Sequence, residues 1–220
     1  MQLFWLMLIG LIASAPAALA AKTPWSSGEK LIYRFSWAGV EAGELQIVAQ
    51  AQGAGWRFQG KLIPKGLGML LGYGFEVESV VNEQLHTLRF VKTLVEPFKG
   101  TTRLLAERSA SQEPLMATVI EPNGQQRSYK ADVREVLDDL SVLYFLRVNP
   151  DVKNVQMVDF NSIIQGRPEV LNKSKEGLLG YRITQNGATI EVWLRDDARR
   201  TPVMLAFGRD WGRLEARLIE

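Results

Sequence analysis

Apolar residues recur at every second position over most of this chain, the period of strands buried on one face. Leu31, Tyr33, Phe35 and Trp37 point one way while Ile32, Arg34 and Ser36 point the other. Trp56, Phe58 and Leu62 alternate with Arg57, Gln59 and Lys61, and Ile190, Val192 and Leu194 alternate with Thr189, Glu191, Trp193 and Arg195. Leu214, Ala216 and Leu218 repeat the rule against Arg213, Glu215 and Arg217. Asn123-Gly124 and Asn186-Gly187 stand between such runs, and Asn-Gly suits a two-residue hairpin. The pattern predicts strands near 29–37, 42–50, 55–62, 74–81, 86–94, 100–108, 115–121, 125–131, 154–160, 179–185, 188–195, 201–207 and 212–219. Its fold class is mainly all-β, an antiparallel meander. Because bare sheet edges invite further pairing, the meander is expected to curl into an open or closed barrel-like sheet.

One segment departs from that period. Val133, Val136, Leu137, Leu140, Leu143 and Tyr144 fall at helical spacing, which predicts a helix within 133–148. Asp132 caps the whole run, or Asp138 or Asp139 caps a shorter helix ending near Leu146; Pro150 stops either. This helix is expected to lie across the sheet or to plug an open end. The segment 66–74 is Gly-rich yet apolar, through Leu67, Met69, Leu70, Leu71 and Tyr73. It reads as a short helix or wide connection packed on the core, or as an apolar lip touching a lipid, an apolar ligand or a partner. Residues 161–177 carry the least pattern.

The N-terminus has the form of an export signal: an apolar run from Leu3 to Ile12, then Ala18-Leu19-Ala20 as an A-x-A cleavage pattern. No charge precedes Lys22, so the usual basic start is missing. The expectation is a signal peptide over 1–20 and a single exported domain over 21–220, soluble in a bacterial periplasm and not membrane-spanning after cleavage. With no Cys, the chain has neither a disulfide framework nor thiolate metal ligands. Its 26 basic and 24 acidic residues are interleaved, so no basic face marks a nucleic-acid partner.

Motifs for chemistry are sparse. His86 is the one histidine, and with no G-x-S-x-G elbow or H-E-x-x-H it reads as structural or exposed; no cofactor and no metal is expected. Asp138-Asp139 reads as a helix cap or solvated helix face, Asp196-Asp197 as a turn, and Glu76 and Glu78 as a solvent face.

Three stretches taken together resemble a known family. Gly28-Glu29-Lys30-Leu31-Ile32-Tyr33 through Trp37-Ala38-Gly39 to Gly43-Glu44 opens the domain, Asp138 to Arg147 lies in its middle, and Trp193-Leu194-Arg195-Asp196-Asp197-Ala198-Arg199-Arg200-Thr201-Pro202-Val203 lies near its end. In that order they resemble domain-of-unknown-function family 3108. The resemblance implies an exported bacterial envelope protein with an antiparallel β fold and implies no activity. It marks Tyr33, Trp37, Gly39, Gly43, Ser141, Tyr144, Arg147, Trp193, Asp197, Arg200 and Pro202 as motif positions. Fold maintenance is their expected role, with Gly39 and Gly43 in turns, Trp37 and Tyr144 in the core, and Arg147 paired with a carboxylate or strand-end carbonyls.

The preferred functional reading is a non-enzymatic envelope protein whose curved sheet holds an apolar or amphiphilic, lipid-like ligand or docks on an envelope protein. The alternative is an enzyme on envelope glycan or lipid, using a carboxylate pair drawn from Asp138, Asp139, Asp196, Asp197, Glu41 and Glu44.

Overall fold

A computed structural model describes residues 23–110, 112–171, 177–185, 188–209 and 212–220. The apolar N-terminal segment and the Asn186-Gly187 turn lie outside them. The strands are β1 Glu29–Trp37, β2 Val40–Gln52, β3 Gly55–Pro64, β4 Gly74–Val81, β5 Thr87–Glu96, β6 Gly100–Glu107, β7 Leu115–Ile120, β8 Gln126–Ala131, β9 Val136–Leu137, β10 Val155–Val158, β11 Ile163–Gly166, β12 Pro168–Leu171, β13 Leu178–Gln185, β14 Ala188–Arg195, β15 Pro202–Arg209 and β16 Gly212–Leu218. The helices are α1 Leu67–Leu71 and α2 Ser141–Val148.

Thirteen strands form one antiparallel sheet in the order β12-β13-β14-β15-β16-β1-β2-β3-β4-β5-β6-β7-β8. The first and last parts of the chain meet at its centre, where Tyr33 pairs with Leu218. Among the described residues no pairing joins β8 to β12, so the sheet curls without closing. A three-stranded sheet, β11-β10-β9, sits beside the gap. On one flank the Tyr129 hydroxyl of β8 donates to the Asp159 carbonyl, and Arg127 donates to Asn161 at 3.0 Å. On the other flank Gly166 of β11 lies against Ile183 of β13. The small sheet therefore bridges the seam that strand pairing leaves open.

The meander puts alternate connections at alternate ends. At one end lie the β1–β2, β3–β4, β5–β6 and β7–β8 connections; the register Leu214 to Trp37 brings the start of β16 there too. At the other end lie the β2–β3, β4–β5, β6–β7 and β14–β15 connections. The alternating residues meet inside, where Tyr33, Ile47, Phe58, Phe90, Leu104, Leu115 and Ile183 are wholly buried.

α2 lies within this curl. Ser141, Val142, Leu143, Tyr144, Leu146 and Arg147 are all buried, which only an enclosed helix allows. It begins at Ser141 rather than near 133, because Val136 and Leu137 pair in parallel with Gln156 and Met157. Strands β11 and β12 come from the least patterned stretch.

Two motif positions differ from expectation. Gly43 lies inside β2 rather than in a turn, and a Cβ there would collide with the Ile63 carbonyl oxygen of β3. Trp37 is half-buried rather than in the core: it ends β1 at the rim of the curl, on the inward face opposite Leu214, where it packs against the edge of the core and lies over Gly212.

Candidate functional site

The half of the curl that α2 leaves empty holds a cavity of about 390 Å³, within the range of small-molecule sites. Phe35, Leu45, Ile47 and Leu62 come from one wall, Val192, Leu205, Phe207 and Leu214 from the other, and Leu140, just before α2, with Val142 and Leu143 of α2 forms its floor. These are the inward residues of the period-two runs, so the apolar lining follows directly from the strand pattern.

An ion pair stands among the apolar side chains of this lining. On β5, Phe90 and Leu94 point inward as the alternation requires, and Lys92 between them also points inward. Its ammonium lies 2.6 Å from an Asp139 carboxylate oxygen, 4.9 Å from the Phe160 ring centroid and 5.9 Å from that of Phe75. An ion pair in an apolar wall is weakly hydrated and keeps unused hydrogen-bonding capacity, since an ammonium offers three donors. Asp159, Asn161, Glu96 and Lys99 add polar groups to the lining. The arrangement suits a molecule with a long apolar part and a polar group that can join Lys92 and Asp139.

Of the five residues in the predicted lip, Tyr73 lines the cavity, with its ring stacked on Phe35 at 6.3 Å. Leu67 and Leu71 are half-buried, while Met69 and Leu70 are exposed on α1 beside the mouth. α1 lies tight on β2, where a Cβ at Gly68 would collide with the Ala42 carbonyl oxygen.

The motif positions gather elsewhere, and none of them lines the cavity. At the plugged end, Arg147 is 1% exposed and grips Glu29 with two hydrogen bonds of 2.6 and 2.9 Å. It also donates to the Arg199 carbonyl at 3.1 Å and lies over the Trp25 and Tyr144 rings, 4.9 and 5.2 Å from their centroids. Arg200 donates back to the Arg147 carbonyl at 2.9 Å, and the Asp197 carboxylate accepts from the Arg199 and Arg200 N–H groups. Tyr33 donates to the Pro202 carbonyl at 3.0 Å. Tyr144 stacks on Phe58 at 3.9 Å. Burial pushes the Tyr33 and Tyr144 hydroxyls far above their ordinary range, and the Glu29 carboxylate adds to the rise. The three motifs thus meet in one buried cluster, with Trp37, Gly39 and Gly43 toward the opposite end and Trp193 packed over Gly180.

The acids considered for catalysis disperse. Asp138 is wholly buried and accepts from Ser79 at 2.6 Å, Thr87 at 2.7 Å and the Leu140 and Ser141 N–H groups at 2.9 Å. Ser141 in turn accepts the Asp138 N–H at 2.7 Å, so Asp138 caps the entry to α2. Asp132 instead pairs with Lys130. Glu41 faces Arg34 and Glu44 pairs with Lys65 on the outer side of the sheet. Asp196 and Asp197 lie in the β14–β15 turn at the plugged end. Of the six, Asp139 alone lines the cavity. His86 lies at the plugged end, its ring 6.3 Å from that of Phe145.

Sequence reasoning missed Lys92, although its signal is present: a charge on the apolar face of a regular alternation. Asp159, Phe160 and Asn161 carry no such signal.

No family model matches the chain, and no curated protein matches it. Among solved structures it is similar to a beta-barrel-like protein of domain of unknown function DUF1849 from Brucella abortus. The TM-score is 0.57 over 88% of this chain and 96% of that one, at 9% identity. The fold is barrel-like. That neighbour bears a family number other than 3108, and at this identity the likeness speaks for the fold alone. No helix among the described residues is long and apolar enough to cross a membrane.

Proposed function

We propose that this chain is a non-enzymatic carrier or receptor for one amphiphilic molecule in the bacterial envelope. The molecule's apolar part fills the cavity, and its polar group meets Lys92 and Asp139. The observation that carries the reading is the Lys92–Asp139 ion pair set among the apolar side chains that make up most of the cavity lining. A core built only for stability gains nothing there, because an apolar pair of similar volume is often as stable as a buried ion pair. The signal-like N-terminus supports an extracytoplasmic site of action. The meeting of the three motifs in one buried cluster supports kinship with family 3108.

The test is titration of a fluorophore-bearing fatty acid, together with native mass spectrometry of protein purified from its host. Saturable one-to-one binding is expected, abolished by Ile190→Trp, which fills the cavity from β14. Lys92→Met should weaken binding about tenfold or more, the scale of a charge-assisted contact. Absence of both a co-purifying mass and any saturable binding would reject the reading.

A further inference from the structure

The end of the curl where the cavity lies bears exposed apolar side chains on three separate connections. Val40 stands at the β1–β2 tip and is 55% exposed. Met69 and Leu70 on α1, in the β3–β4 connection, are 68% and 86% exposed. Phe98, in the β5–β6 turn, is fully exposed at 103%. The strand order places all three connections along one rim, because each joins an odd-numbered strand to the next even one in a regular meander. Tyr73 and Lys99, which line the cavity, belong to two of these same connections. The rim and the mouth are therefore one structure.

The charges around these tips are balanced locally. Lys65 pairs with Glu44, Lys99 with Glu96 at 3.2 Å, and Arg34 with Glu41 at 3.8 Å. The rim thus presents apolar prongs above neutral ion pairs, and a zwitterionic headgroup layer complements that charge pattern.

We propose that this rim docks on a lipid bilayer, with Leu70, Met69, Phe98 and Val40 entering the interface and the cavity mouth held against it. Separated prongs suit a lipid surface, which closes around each side chain, whereas a protein partner would need a matching pocket for each. Docking also lets an apolar cargo pass between bilayer and cavity without crossing water, which opposes exposure of every methylene. The cargo part of this inference rests on the proposed function, while the docking part stands on the rim alone.

The absence of Cys allows a clean test, since one introduced Cys takes an environment-sensitive fluorophore at a single place. Leu70→Cys and Phe98→Cys place the probe on the rim; Gln84→Cys, exposed in the β4–β5 turn, places it at the opposite end. The full chain is mixed with vesicles of phosphatidylcholine, alone or with phosphatidylglycerol. The rim probes should shift to the blue and be quenched by spin-labelled lipid on both vesicles, with little effect of salt, while the Gln84 probe stays unchanged. The chain enters β1 at the Gln84 end, so anchoring through an apolar N-terminal segment would bring that probe to the membrane instead and overturn the proposal. Silent rim probes, the result expected for a protein partner, would overturn it as well. Binding that needs phosphatidylglycerol and is released by salt would overturn it too, since it would show attraction by charge.

In the chain without probes, Leu70→Ser with Phe98→Ser should cut vesicle binding at least about tenfold, since one large apolar side chain is worth that much when buried. The urea midpoint should hold, both residues being exposed. Titrating the same variant with a monomeric fluorescent fatty acid separates the two readings. Vesicle binding without fatty-acid uptake by the parent chain sinks the cavity reading alone, and uptake without vesicle binding sinks docking alone.

Discussion

Arg147 shows what a single residue does in this molecule. Its guanidinium is taken out of water, so its charge must be met by Glu29, by the Arg199 carbonyl and by two aromatic faces. Arg147→Met should cost about 3–5 kcal/mol, because Glu29 is left as a poorly compensated charge. Adding Glu29→Gln should recover much of that loss, as read from urea midpoints of the two single variants and the double variant. Asp138 and Glu191 respond to pH in opposite directions. Burial raises the Asp138 carboxyl above its ordinary 3.8, against the pull of its hydrogen bonds from Ser79, Ser141, Thr87 and Leu140. The stability linked to its proton is full below that value and is lost as pH rises through the folded value. The midpoint of Asp138→Asn should therefore gain on the parent chain as pH rises across this window. At Glu191 desolvation raises the carboxyl, but hydrogen bonds from Arg182 and Arg213 outweigh it and hold it below 4.5. Its contribution is present above that value and lost as pH falls through the folded one, so the cost of Glu191→Gln should shrink in acid.

At the scale of elements, α2 and α1 differ in what holds them. α2 is enclosed, and Tyr144 stacked on Phe58 anchors it, so Tyr144→Ala should cost about 3–5 kcal/mol in the urea midpoint. α1 is a five-residue helix whose hold is the close approach of Gly68 to β2. Gly68→Ala should force the two apart and cost about 1–3 kcal/mol, with hydrogen exchange faster in 67–73 than elsewhere. Much of this was legible. Each long strand came within a few residues of its place, because alternation is a local property that one face of burial imposes. The apolar helical face of α2 was legible for the same reason. Its start was not, because Val136 and Leu137 fit helical spacing but obtain backbone partners on β10, about twenty residues onward. The cavity was legible only as a surplus of inward apolar residues, since its volume depends on how far the sheet curls.

For the molecule as a whole, the open seam is the feature with most consequence. A sheet of thirteen strands would expose two edges, and here the small sheet spans them through Tyr129, Arg127 and Gly166. Tyr129→Phe should cost about 0.5–1.5 kcal/mol and speed hydrogen exchange in β10 and β11 before the central strands. By itself the sequence determined the strands, their inward faces, the mostly antiparallel order and the presence of one amphipathic helix. Those properties are written in neighbouring residues. Only the tertiary structure decided that α2 fills one end and leaves the other hollow, that Lys92 meets Asp139, and that Arg147 meets Glu29 118 positions away. It also decided that three apolar tips share a rim. Such meetings depend on sheet curvature and on partners distant in the chain, and neither leaves a periodic trace in the residues that make them.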